Sequence, residues 1–272
     1  EESNNALEYI RNIYIEEQQP EAYVQFMNAY GKSLSYNEQD SLMYRAAIIQ
    51  YEDKKLTNAN VAFKKYLSLY PEGQYQLNAM NFLAEMAYAS EQYDSAAIYF
   101  GKIAMKAPNQ FSERAAIIAA RLHYFNLKDY VGAEKYFKIV LQYATQQEQK
   151  NEATKGLLRC QYKAENWAEA SKTAVLILAE LNSASDDILM ANMASYHQTI
   201  AEQDTVKALQ LLNTVLKSNS SLYTAEAHYL TALIYYNQQK YNLAEKTAFD
   251  VIKKQASYEF WVTKTYILLG DI

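Results

Sequence analysis

Three histidines, one cysteine and one row of cations are the side chains to test first for chemistry in this sequence. A zinc site on a helix needs ligands about one turn apart, as in H-E-x-x-H, with a third ligand close by. His123, His197 and His228 form no such motif, and no two of them stand four apart. His197 and His228 would face each other only if their two segments packed as neighbours, and a structural histidine explains each of them as well. Cys160, within "LLRCQYK", has neither a nearby base nor a helix N-terminus to lower its pKa, so it reads as a small buried hydrophobe. Gly31, Gly73, Gly101, Gly132, Gly156 and Gly270 are too scattered to build a phosphate-cradling loop. The "SDD" at 185–187 reads as an N-cap before a helix starting at Ile188. These residues predict no enzyme, no metal and no cofactor.

The cation row is "KGLLRCQYK", where Lys155, Arg159 and Lys163 stand at i, i+4 and i+8. That spacing puts three positive charges on one helix face. An acidic peptide or a terminal carboxylate could dock there. Equally, Glu152 and Glu165 could pair with the cations and leave a solvated charged face.

The elements that would position these groups are helices. Half of the 272 residues are hydrophobic, with 26 Tyr among them, and only six Gly and three Pro interrupt the chain. The net charge of −5 comes from 26 basic and 31 acidic residues, well interspersed. Nucleic-acid binding needs a basic excess to release counterions from phosphates, and none is present. Apolar runs such as "AVLILA" at 174–179 fall well short of the roughly 20 residues that cross a bilayer, so no membrane span is expected. The N-terminal "EESNNALEYI" holds no basic segment followed by an apolar one.

One stretch, "EQYDSAAIYF" at 91–100, recurs along the chain. Related copies are "KKLTNANVAF", "KDYVGAEKYF", "ENWAEASKTA", "QDTVKALQLL" and "QKYNLAEKTA", beginning at Lys54, Lys128, Glu165, Gln203 and Gln239. Their shared alanines are Ala59, Ala96, Ala133, Ala170, Ala208 and Ala244, separated by 37, 37, 37, 38 and 36 residues. A fixed period of this size marks a repeat protein. Upstream of each copy lies a second segment of helical period, for example Met80, Leu83, Ala84 and Ala87. A two-residue polar break such as "EQ" or "KD" separates the two helices of a unit. Tyr93, Ala96 and Phe100 share one face of the second helix, where alanine permits close approach and the rings fill the wedge. Such pairs must stack, because none can bury its apolar face alone.

A bulky residue at position 4 of the unit, Leu at 7, a small residue at 8, Tyr at 17, Ala at 20 and Phe or Tyr at 24 resemble the tetratricopeptide repeat. Pro71 and Pro108 fall where that family often ends its second helix. Units starting at Asp40, Leu77, Arg114, Asn151, Leu189 and Ala225 match, a poorer one starts at Asn4, and a truncated one at Thr263. The resemblance implies an all-α fold over residues 1–272, a single right-handed superhelix of about seven antiparallel helix pairs plus a half unit. This chain departs from the family in its spacing of 36 to 38 residues, in Tyr23 and Pro20 of the first unit, and in Thr205 where an aromatic is expected. The long spacing and the Tyr/Asn/Gln-rich texture resemble large multi-repeat proteins of bacterial cell envelopes. The last residues, "TKTYILLGDI", read as the first helix of another unit, so a longer repeat array is expected.

In that family, first-helix positions 2, 5, 9, 12 and 13 line the inner, concave face. The resemblance therefore assigns Lys155, Arg159 and Lys163 to the groove, although Arg159 and Ala194 stand where the family's carboxylate-clamping subgroup has asparagines. Position 12 reads Ile15, Tyr51, Tyr88, Phe125, Tyr162, Ile200 and Tyr236. These rings either grip a peptide or a sugar along the groove, or pack between neighbouring first helices. The resemblance implies a non-catalytic scaffold that holds a protein or peptide segment. A glycan or small-ligand module using the aromatic ladder is the alternative.

Overall fold

The structure, a computed structural model, describes residues 2–180, 185–219 and 221–272, without the side chains of residues 2–4. All regular structure among these residues is helical. The chain divides into two compact units, Glu1–Ala144 and Thr145–Ile272. The first holds α1 (Glu2–Glu16), α2 (Pro20–Ala29), α3 (Tyr36–Glu52), α4 (Leu56–Leu69), α5 (Gln76–Ala89), α6 (Tyr93–Met105), α7 (Ser112–Arg121) and α8 (Tyr130–Tyr143). The second holds α9 (Gln147–Lys163), α10 (Trp167–Ala179), α11 (Ser185–Ala201), α12 (Thr205–Leu216), α13 (Leu222–Asn237), α14 (Tyr241–Lys254) and α15 (Glu259–Asp271). Each unit is an α-solenoid of helix pairs in which successive helices pack on one another.

The joint of each pair is the recurring alanine. Ala59, Ala96, Ala133, Ala170, Ala208 and Ala244 are all 0% exposed. One turn further on, Phe63, Phe100, Phe137, Ala174, Leu212 and Ala248 are buried as well. A methyl at the crossing lets two helix axes approach toward the short end of the ~8–10 Å range, and where the residue one turn on is Phe or Leu it fills the adjacent wedge. The first pair uses Tyr23 instead. Its ring is buried and its hydroxyl donates to the Leu7 carbonyl at 3.3 Å, satisfying a polar group that alanine would not bring. Pro71 and Pro108 follow the ends of α4 and α6, as expected of residues that cannot continue a helix.

The turn inside each pair carries one left-handed residue. Gln18, Lys54, Glu91, Lys128, Glu165, Gln203 and Gln239 all adopt a left-handed conformation, with φ between +53° and +65°. Around Glu91, its own N–H reaches the Tyr88 carbonyl at 3.1 Å and the Gln92 N–H reaches Ala87 at 2.9 Å. This pair of bonds is a Schellman cap. It satisfies carbonyls that the end of α5 would otherwise leave open, and it sets the angle at which the second helix departs. The polar break read from the sequence is this cap, occupied by Glu, Lys or Gln where glycine would be unstrained.

The fourth pair carries one residue more in its first helix. Ala115, Ala116, Ala119 and Ala120 are buried as Ala79, Met80, Leu83 and Ala84 are in α5, at a spacing of 36. The left-handed residues Glu91 and Lys128, like the joint alanines Ala96 and Ala133, are 37 apart. A π-helical turn at Leu122–Asn126 absorbs the difference, with Leu127 N–H bonded to the Leu122 carbonyl at 3.0 Å and Asp129 N–H to His123 at 2.9 Å. The phase of α7 therefore begins one residue before Arg114, and Tyr124 takes the place that Tyr88 holds in α5. Tyr124 packs edge-on against Tyr130 (5.3 Å) as Tyr88 does against Tyr93 (6.3 Å).

Between the second and third pairs, Asp40 is 1% exposed and accepts from the Tyr66 hydroxyl at 2.5 Å and the Gln74 N–H at 2.7 Å. A Cβ on Gly73 would stand 2.8 Å from the Asp40 carboxylate, so the loop closes this tightly only with glycine there.

The strained caps make a direct prediction. Glu91→Gly relieves a left-handed penalty of about 1–2 kcal/mol and adds chain entropy costing about 0.5–1 kcal/mol. Urea denaturation should show a net gain of about 0.5–1 kcal/mol.

Candidate functional site

In the first unit a cleft of about 950 Å³ lies between α1, α2 and α3. Its floor is apolar, built from the buried Leu7, Ile15, Tyr23, Met27 and Leu42. Its rim is polar, because α1 turns Glu8 and Arg11 toward it while α3 presents Ser41, Tyr44 and Arg45 at helical spacing. Tyr44 stacks on Tyr75 at 4.3 Å with ring planes 4° apart, forming one aromatic wall. Burial, with Tyr75 and Glu52 nearby, pushes the Tyr44 hydroxyl up to about 12. The two acids of the rim are engaged internally. Glu8 pairs with Arg11 at 3.0 Å. Glu38 accepts from the hydroxyl and the N–H of Ser35 at 2.7 and 2.8 Å, which closes the N-terminal cap of α3 and lowers the carboxyl pKa. Lys32 and Arg45 make no ion pair among the described residues.

The position-12 side chains have different surroundings in different pairs. Ile15 is in the core. Tyr51 is half-buried against Phe82, with ring centroids 4.6 Å apart. Tyr88 is 46% exposed and touches Tyr93 and Phe100 edge-on. Phe125 is 58% exposed, displaced toward solvent by the π turn and resting on Tyr124 at 4.8 Å. In the second unit, Tyr236 is half-buried against Tyr241 at 5.9 Å, and Ile200 is half-buried.

Tyr162 stands at the centre of a polar and aromatic cluster. Its hydroxyl donates to Glu226 Oε2 at 3.1 Å, and His197 Nε2 lies 3.3 Å from Glu226 Oε1. The His197 ring stacks on Trp167 at 4.0 Å, while Tyr223 meets Tyr162 edge-on at 6.0 Å. Helices α9, α11 and α13 thus meet at one buried carboxylate, and α10 supplies the indole that stacks on His197. Burial and the Glu226 charge raise the Tyr162 hydroxyl far above its usual range and push Tyr196 up to about 12.

The cation row is partly neutralised by a residue assigned otherwise from the sequence. Asp187, 5% exposed at its side chain, lies 2.7 Å from Arg159 and 3.8 Å from Lys155. The "SDD" is not a cap ahead of Ile188, since α11 begins at Ser185 and contains all three residues. An acid in the first turn of a helix is favoured by the macrodipole, and here it also supplies a buried counter-charge. Lys163 is exposed at the end of α9.

His228 is not part of the His197 cluster's hydrogen bonding. Its Nδ1 is buried without a hydrogen-bond partner, and burial holds its pKa below the usual value, with Lys254 acting in the same direction. His123 Nδ1 lies 2.8 Å from Asp129 Oδ2, while Asp129 Oδ1 caps α8 through the Gly132 N–H at 2.9 Å. Cys160 is fully buried. Among the described residues no group of three His, Cys, Asp or Glu side chains could hold a metal ion. No helix among them is long and apolar enough to cross a membrane.

No family model and no curated protein matches the sequence. Solved structures do match. A chain of the Naa15/Naa10 complex bound to HypK-THB superposes with a TM-score of 0.58 at 16% identity over 98% of this chain. This chain spans 39% of that longer one. A tetratricopeptide repeat protein from Parabacteroides merdae ATCC 43184 aligns at a TM-score of 0.38 and 13% identity, over 98% of this chain and 100% of that one. The first of these likenesses shows the fold alone, an α-solenoid of stacked helix pairs.

A pH test addresses the histidine that the hydrogen-bond network leaves out. Because the folded-state pKa of His228 is depressed, the unfolded chain binds its proton more readily. Stability should be full above pH ~6.5 and fall as the pH drops below that value, by at most about 1.4 kcal/mol per pH unit for this one group. Urea midpoints at pH 7.5 and 5.5 should converge in His228→Leu compared with the unsubstituted protein.

Proposed function

We propose that this chain is a non-catalytic scaffold that holds a segment of another protein on the face formed by its first helices, with the first-unit cleft as the main seat. The observation that carries this reading is the cleft itself. It combines an apolar floor, a stacked aromatic wall and an arginine, the composition that concentrates binding energy at protein interfaces. Solenoids offer extended surface for partners, and a chain of like fold occurs in an assembly of Naa15, Naa10 and HypK-THB. Tyr51 would extend the same binding face, and Lys163 is the cation of the α9 row that stands most open for an acidic partner. Arg159 and Lys155 would first have to give up Asp187.

The glycan reading is favoured by the open rings of Tyr88 and Phe125, with Tyr236 as a half-buried counterpart in the second unit. Tyr162 would contribute less to it, because its hydroxyl and ring are already committed to Glu226, His197 and Trp167.

Two measurements separate these readings. A photo-crosslinking residue at Ser41 should capture the partner, and one at the outward Val61 should not. Tyr44→Ala combined with Arg45→Ala should weaken that partner at least about tenfold, a loss of about 1.4 kcal/mol or more. Capture from Val61 alone would sink the cleft assignment. On the glycan reading, Tyr88→Ala and Phe125→Ala should abolish sugar binding on an array. Each should cost well under the ~3–5 kcal/mol of a buried aromatic truncation, because about half of each ring is exposed.

A further inference from the structure

One described cation is surrounded by three rings at once. Lys264 Nζ lies 4.9 Å from the Phe260 centroid, 5.3 Å from Trp261 and 5.7 Å from Tyr229. Lys102 and Lys135, by comparison, each meet a single ring. Helix α15 brings Phe260 and Trp261 beneath Lys264 because residues three and four apart share a face. Helix α13 adds Tyr229, whose ring is 5.5 Å from Trp261. Phe260 and Trp261 stand 4.9 Å apart at 79°, so their faces enclose a corner rather than stack flat. Lys264 is exposed and makes no ion pair among the described residues, so the rings alone hold its charge in place. Asp271, further along α15, acts electrostatically on Tyr229 and adds a negative charge to the surroundings.

We propose that Tyr229, Phe260 and Trp261 form an aromatic cage for a methylated ammonium group, closed in this structure by the side chain of Lys264. A plain ammonium is strongly hydrated and gives up water reluctantly. A methylated ammonium carries the same charge on a larger, weakly hydrated surface, which ring faces recognise well. The four-carbon stem of Lys264 can swing into solvent at small cost, so an external cation of that kind displaces it. This proposal stands apart from the cleft of the first unit and shares no residue with it.

The test uses the indole signal of Trp261, one of two tryptophans in the chain, in heteronuclear NMR. The protein and its Lys264→Ala variant are titrated with tetramethylammonium chloride and, as an uncharged control of the same shape, neopentyl alcohol. Lys264→Ala should bind tetramethylammonium saturably and about tenfold more tightly than the unsubstituted protein. The alcohol should shift the signal weakly or not at all. Adding Phe260→Ala to that variant should remove the binding without unfolding α15, since Phe260 is 62% exposed. A trimethyllysine peptide and free choline, titrated in parallel, distinguish a modified polypeptide from a small-molecule source of the same group. Absence of a saturable shift at Trp261, or an equal response to neopentyl alcohol, would overturn the cage.

Discussion

The close approach of two helices at a buried alanine is the contact on which the rest of this structure depends. At Ala59, Ala96, Ala133, Ala170, Ala208 and Ala244 no larger side chain stands between the axes. Everything else in a repeat keeps that crossing in register. The left-handed cap fixes where the second helix starts, and at four of the six joints a bulky residue one turn beyond the alanine closes the wedge. The π turn at Leu122–Asn126 shows how firmly the crossing is held. A helix with one residue too many distorts its own hydrogen bonding rather than shift Ala133 away from the joint, because a slipped alanine would place a bulky side chain at the crossing.

Once the crossings are set, the side chains facing inward from the first helices can be used in two ways, and the two units differ. In the first, the acids of the cleft rim are satisfied locally, Glu8 by Arg11 and Glu38 by the Ser35 cap, and the recess stays open. In the second, Tyr162 and His197 both engage Glu226, and Arg159 and Lys155 meet Asp187. A buried carboxylate without partners would be expensive, so these groups are tied into the packing. Positions that look alike in the repeat therefore differ in how far they remain open to a partner.

Much of the fold was legible from particular residues. The period of the alanines predicted the helix pairs, and Tyr93, Ala96 and Phe100 behave as a stacking joint. The left-handed caps were harder to read because Glu, Lys and Gln occupy them, and these residues do not signal positive φ as glycine does. The π turn did leave a trace, since the apolar positions of α5 and α7 repeat at 36 while the joint alanines repeat at 37. Reading the two spacings against each other makes Tyr124, not Phe125, the equivalent of Tyr88. Asp187, a partner of the cation row, was out of sight in the sequence for a related reason. Glu152 and Glu165 are near in sequence, whereas Asp187 reaches Arg159 only because α11 packs against α9.

By itself, then, the sequence determined what repeats at a fixed interval: helical period, the small residue at each crossing, the length of a unit. Those features are local, and a helix displays them wherever it packs. Only the tertiary structure decided which rings stay open and which charges are already answered. Exposure at Tyr88, burial at Tyr162, the cleft beside Arg45 and the three rings about Lys264 all depend on side chains brought together from different helices. Their spacing in the chain carries little of that, because burial and charge pairing are set by neighbours in space.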